Sequence, residues 1–157
     1  MGCDTVAYEG EGAMRLEALG RRAAGDMPAV EGLPLAVDGE GVLRADWSMM
    51  LYVLGDRRLA QGARALWFHA VLAETICMQA QAVERMHCGE GGMPVFEAVG
   101  LTGGVFQNGL LAELAVERLG RLGMTAYLPS RVPANDAGLA FGQIVEASAR
   151  MSVREIM

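Results

Sequence analysis

The sequence predicts an α/β domain in which helices flank a mixed sheet. Three observations carry that expectation. Residues 95–150 alternate short β-rich runs with helical periodicities in the order strand, helix, strand, helix, the pattern of a parallel sheet and its crossovers. Upstream, "LPLAVDGEGVLRAD" sets two β-rich stretches around Asp38-Gly39, a hairpin signal. The chain has 157 residues, 52% hydrophobic and 20% charged, which is one domain with enough apolar material for a core.

The elements follow in order. In "EGEGAMRLEALGRRAAG" the spacing of Met14, Leu16, Leu19 and Ala23 predicts a helix over 11–24, ended by Gly25. After the hairpin, Asp46 is placed to cap "WSMMLYVL", a short amphipathic helix. The longest helical pattern runs from 59 to 87, with Leu66, Val71, Ile76 and Val83 among many Ala and Met. It is apolar nearly all round, as in a helix packed between other elements. "CGEGGMP" reads as a loop and "VFEAVGLTGG" as a buried strand. "NGLLAELAVERLGRLG" is a helix stopped by Gly123, "MTAYLP" a second short strand, and a Pro-containing turn leads to a last helix over 136–150.

Composition excludes several function classes. The net charge is −6, set against 13 Arg and no Lys, and no basic patch survives that balance. Binding to a nucleic-acid phosphate backbone is therefore not expected. No signal peptide is visible, and no apolar run approaches the ~20 residues a membrane span needs, so a soluble, cytoplasmic protein is expected. Cys3, Cys77 and Cys88 show no CxxC or zinc-knuckle spacing and are expected as free thiols. His87 beside Cys88 is open to a metal or nucleophile reading, or to the plainer one of a helix end entering a loop.

The stretch "LTGGVFQNGLL" (101–111) places Gly103, Gly104 and Asn108 on a strand-to-helix corner. Ligands in open α/β sheets bind beyond the carboxyl ends of the strands. Glycines there allow close backbone approach and positive φ, and the following helix N-terminus offers N–H groups to a phosphate or carbamate oxygen. Asn108 has a donor and an acceptor for a base edge or ribose hydroxyl, or it is a plain N-cap. The second corner, "VPANDAGLAFGQ", puts Asn135 and Asp136 at the start of the last helix. Asp136 is an N-cap or a ligand for a hard or borderline cation. Both corners should open on one sheet edge and form a nucleotide-like pocket with one carboxylate.

These two motifs, with "VAYEGEGAMRLEAL" and "FHAVLAETI" in the same order, resemble the C-terminal part of the HypF family of hydrogenase-maturation carbamoyltransferases. The likeness covers nearly the whole chain. It is shared more distantly with the TsaD family, which makes threonylcarbamoyladenosine in tRNA and carries a GGV-x-x-N motif. The resemblance implies a partial actin-like ATPase (RNase H-like) fold, here its C-terminal lobe. It implies ATP with Mg, and carbamoyl phosphate, as the molecules used to make carbamoyladenylate, and a HypE-like protein whose C-terminal cysteine receives the carbamoyl group. By the same resemblance Gly103, Gly104 and Asn108 match the adenylate-binding motif, Gly10 matches a glycine near the ribose, and Asp136 matches a ligand of a divalent metal, Fe or Zn. His69, in "WFHAVL", matches a family helix histidine read as packing around the site. The catalytic residues stay unassigned.

Departures from the family pattern set further expectations. No HxxxH occurs in the chain, "NDAG" replaces the usual NDGG, and the domains that precede this part in the family, with the first lobe, are missing from the sequence. The chain alone is expected to be inactive, completed by a first-lobe chain or self-associated. A non-catalytic nucleotide-binding or HypE-docking module is the alternative. A carbamoylating branch acting on tRNA or a small molecule is disfavoured by the Phe-Gln pair of GGVFQN and by the acidic balance.

Overall fold

The computed structural model describes residues 5–24, 26–87 and 96–155, with side chains to 151. The Gly25 stop, Cys3, Cys88 and the 88–94 loop lie outside them. The elements are α1 (Glu11–Arg21), β1 (Leu35–Val37), β2 (Leu43–Ala45), α2 (Ser48–Gly55), α3 (Gln61–His87), β3 (Ala98–Gly100), a 3-10 turn (Gly104–Gln107), α4 (Gly109–Arg121), β4 (Thr125–Tyr127), a second 3-10 turn (Asp136–Gly138) and α5 (Leu139–Glu155).

Strands pair in two separate two-stranded sheets, β1 antiparallel to β2 and β3 parallel to β4. Both senses of the expected mixed sheet are present, each in its own sheet. In the hairpin, Asp38 heads the turn and its Oδ1 accepts the N–H groups of Glu40 and Val42, both at 2.9 Å. The left-handed residue is Gly41 (φ 81°), not Gly39, because the chain takes three residues beyond Asp38 to reach Val42. In α2 the N-cap position falls on Trp47, while Asp46 receives the Ser48 N–H at 2.9 Å from one position earlier. Met49, Leu51 and Tyr52 of α2 are exposed, so the helix buries little beyond Met50.

Helix α3 is the wall that both core clusters share. On one side Ala73 and Cys77 pack with Leu101 of the β3 exit and with Leu111, Ala115 and Leu119 of α4. On another, Trp67 and Val71 pack with Leu33 and Met50. Leu72, partly buried, touches both clusters. Small residues let α1 approach: a Cβ on Gly62 would lie 3.0 Å from the Cα of Ala23, and one on Gly20 would lie 3.4 Å from the backbone of Leu66. The segment after α1 is pinned by side chains of α3. Leu33 N–H donates to Thr75 Oγ1 (2.9 Å), and Trp67 Nε1–H donates to the Ala29 carbonyl (3.1 Å). The Ala-rich composition of this helix is thus a packing requirement met on three faces.

The last βα unit behaves differently. The final helix starts three residues later than its pattern predicts, because 136–138 wind into a tighter turn, and it runs on to Glu155. Its apolar residues Leu139, Phe141, Ile144, Val145 and Met151 are 50–68% exposed. Among the described residues no helix is long and apolar enough to cross a membrane.

Candidate functional site

The corner after β3 is built by a few local rules. Leu101 N–H donates to the Tyr127 carbonyl at 2.8 Å, extending the parallel pairing one residue past the strand, and the Leu101 side chain is buried against α4. Gly103 then turns the chain with φ 99° and ψ 157°, a conformation essentially reserved for glycine. Gly104 has no positive φ, and a Cβ built on it meets nothing within 4 Å. Of the pair, only Gly103 is therefore demanded by the backbone. Phe106 N–H donates to the Gly103 carbonyl (3.0 Å) and Asn108 N–H to the Val105 carbonyl (3.2 Å), closing the 3-10 turn.

Asn108 is the N-cap of α4. Its Oδ1 accepts the Leu111 N–H at 3.0 Å, and its Nδ2 stands 2.8 Å from His69 Nε2. A second side chain reaches the same helix end: Glu17 Oε1, from α1, accepts the Leu110 N–H at 3.1 Å. Arg21 holds that carboxylate at 3.0 Å and grips Glu113 with two nitrogens at 3.0 and 2.9 Å. The pairing holds the Glu113 carboxyl below its ordinary range, with Arg21 as the main cause, and raises the Arg21 guanidinium further.

This corrects one sequence expectation. The α4 N-terminus was expected to offer unpaired N–H groups to a ligand anion, and the N–H groups of Leu110 and Leu111 are already taken, one of them by a carboxylate. The N–H groups of Gly104 and Val105 remain without a partner among the described residues. Glu17 and Arg21, which no local signal in the sequence marks, are the residues α1 brings to the corner. Gly10 lies at the other end of α1, about 10 Å of helix from Glu17, as a left-handed N-cap (φ 84°).

The second corner follows β4 at the same carboxyl end of the parallel pair, as its pattern predicts. Capping there belongs to Asn135, whose Oδ1 accepts the Ala137 N–H at 3.1 Å. Asp136 is the first residue of the turn, exposed, and its carboxylate makes no hydrogen bond among the described residues. The N-cap alternative for Asp136 is thus removed. No hydrogen bond or ion pair among the described residues joins 131–138 to 101–108, so each corner stands on its own contacts. Gly138 is tightly placed, since a Cβ would come within 2.7 Å of the Pro133 carbonyl oxygen.

Among the described residues no three His, Cys, Asp or Glu gather as a metal site. A lone carboxylate does not fit Fe or Zn, which need several preorganised N, S or O donors. His87 is exposed at the end of α3. Cys77 is buried, and burial pushes its thiol up, the setting of an inert packing cysteine. Between the hairpin, α3 and β3 lies an open apolar cleft of ≈ 890 Å³, lined among others by Trp47, Ile76, Val99 and Val105.

The description of the carbamoyltransferase Kae1-like domain, second subdomain, matches residues 1–143. Carbamoyltransferase HypF of Rhodobacter capsulatus is 40% identical over 145 residues, 92% of this chain and 17% of that protein. A carbamoyltransferase HypF homolog of Cupriavidus necator is 37% identical over 110 residues, 68% of this chain and 26% of that protein. The crystal structure of full-length HypF in the phosphate- and nucleotide-bound form superposes with a TM-score of 0.76 at 24% identity, over 93% of this chain and 18% of that one. HypF of T. kodakarensis gives 0.69 at 22% identity, over 92% of this chain and 17% of that one. At such identities the superpositions establish the fold. The chain spans 17% and 26% of the two curated relatives' lengths. The match over residues 1–143 and the shared α/β fold show that this chain belongs to the carbamoyltransferase family, as the second subdomain of its Kae1-like domain.

Proposed function

We propose that this chain supplies the adenylate-binding corner of a HypF-type carbamoyltransferase. In this reading ATP with Mg and carbamoyl phosphate yield carbamoyladenylate, and the carbamoyl group passes to the C-terminal cysteine of a HypE-like protein, on the way to the cyanide ligand of [NiFe] hydrogenase. The observation that carries it is the Gly103 corner at the carboxyl end of parallel β3. It has one glycine-only conformation, two N–H groups without a partner among the described residues, and an immobilised Asn108. A phosphate- and nucleotide-bound HypF of the same fold supports it. Gly103, Gly104 and Asn108 contact the nucleotide in this proposal. Gly10 contributes only if the ligand extends along α1, and Asp136 gives one position of a divalent metal whose other ligands come from elsewhere. No chemical step is assigned to that metal, because the donors here do not make a site.

The test is calorimetry of the chain with ATP and Mg, beside Gly103→Ala and Asn108→Ala. Each variant is expected to lose about tenfold or more in affinity, the scale of one backbone constraint or one hydrogen bond. Affinity unchanged in both variants rejects the corner. Pyrophosphate exchange dependent on carbamoyl phosphate is expected to be undetectable with the chain alone. The exposed apolar faces of α2 and α5 favour a second reading, a non-catalytic module that docks a HypE-like protein. Saturable binding of such a protein without nucleotide would favour it.

A further inference from the structure

His69 sits in the middle of α3, 1% exposed, directly under the corner. Its Nδ1 is 2.7 Å from the Ala65 carbonyl oxygen, one turn back along the helix. A carbonyl only accepts, so Nδ1 carries the proton. In the neutral ring Nε2 is then a bare acceptor, and it meets Asn108 at 2.8 Å. The other Asn108 contact fixes which end of the amide that is. The Leu111 N–H needs an acceptor, which must be Oδ1, leaving the NH2 group to donate to Nε2. Turning the amide over would set donor against donor at Leu111 and acceptor against acceptor at His69. Protonating the ring would set two donors together at Asn108. One arrangement satisfies all three bonds.

The environment keeps the ring in that form. Burial, the largest influence, lowers the imidazole below its ordinary value of 6.5; the Ala65 carbonyl and Glu17 act in the opposite direction, and Arg21 acts with burial. Glu17 and Arg21 of α1 are the charges that act on the ring, and α4 meets it with the neutral Asn108 amide. Phe68 closes the neighbouring space edge-on, with ring centroids 5.5 Å apart.

We propose that His69 is a positioning residue for the corner: its neutral Nε2 holds the Asn108 amide in one orientation, so that the remaining Nδ2–H is presented to an oxygen acceptor of the nucleotide. The last clause rests on the nucleotide reading above; the orientation of Asn108 does not. The chain suits the experiment, since it contains two histidines and two asparagines, Asn108 and Asn135.

Nitrogen-15 spectra of the full chain, assigned with His69→Gln and Asn108→Asp, read the ring and the side-chain amide directly. At neutral pH the His69 ring is expected as the Nδ1–H tautomer, with the Asn108 amide protons held in one hydrogen-bonded environment. Asn108→Asp places a carboxylate oxygen against Nε2 and is expected to convert the ring to imidazolium. His69→Leu should release the Asn108 amide and weaken ATP binding about tenfold, and His69→Gln, which restores an acceptor, should recover most of both. An Nε2–H tautomer or an imidazolium in the wild-type chain overturns the positioning role. So does His69→Leu with the Asn108 amide unmoved. A wild-type chain that binds no ATP, with ring and amide as expected, rejects the nucleotide reading while the hold of His69 on Asn108 stands.

Discussion

At Gly103 and Gly104 two identical residues have different reasons to be there. The first adopts φ 99° and the second does not. Gly103→Ala is expected to cost about 1–3 kcal/mol of stability, against about 0.5 kcal/mol or less for Gly104→Ala, read as urea midpoints at unchanged slope. Loss of nucleotide affinity in Gly104→Ala at unchanged stability would then report a ligand contact and not a turn. At Asp136 the Asn substitution should leave the thermal midpoint in place, because Asn135 does the capping. A lowered midpoint would show a structural role that the geometry does not contain. His69 adds a pH dependence with a definite sign. Folding lowers its pKa, so the unfolded chain takes up the proton more readily. Its contribution is complete above the ordinary value of 6.5 and is lost as pH falls below it toward the folded value. Thermal midpoints between about pH 7 and about pH 5.5 should fall for wild type and flatten for His69→Gln. The sequence shows that a glycine pair at a strand end serves a tight corner. It does not show which glycine bends, since that depends on how Leu101 and Phe106 seat in the core. Glu17 is invisible for a related reason: it meets Leu110 from 93 positions away.

Helices were the readable elements, and their stops explain why. α4 begins at an Asn cap and ends before a left-handed Gly123, both printed in its local sequence. Strands of three residues carry too few positions for an alternation to show, so only their flanking turns mark them. α2 illustrates the opposite limit, because its apolar residues are plain in the sequence and yet face outward, with Tyr52 82% exposed. At this scale Leu119 and Gly62 test the packing. Leu119→Ala removes a side chain with no exposure from between α3 and α4, and should cost about 2–5 kcal/mol in chemical denaturation. Gly62→Val forces a branched side chain against the backbone of Ala23 and Leu19, and should cost about 1–3 kcal/mol despite valine's better helix propensity. A neutral outcome at Gly62 would mean that α1 can move away from α3 freely.

Across the whole molecule the expected α/β class holds, with parallel and antiparallel pairs in separate sheets and a last helix that buries no side chain among its described residues. A chain with that much apolar surface in one helix is expected to associate as its concentration rises. Sedimentation should show the association, and Ile144→Glu should suppress it; indifference to that change would place the contact elsewhere. The service of α3 to both core clusters has a further consequence, visible in amide hydrogen exchange. Leu72 packs against both clusters, so opening one should loosen the other. The slowest amides of residues 67–77 should therefore share a single opening free energy, the global one, and Leu119→Ala should lower protection around Trp67 as much as around Cys77. Amides of α5 should exchange through local fraying and ignore that substitution altogether.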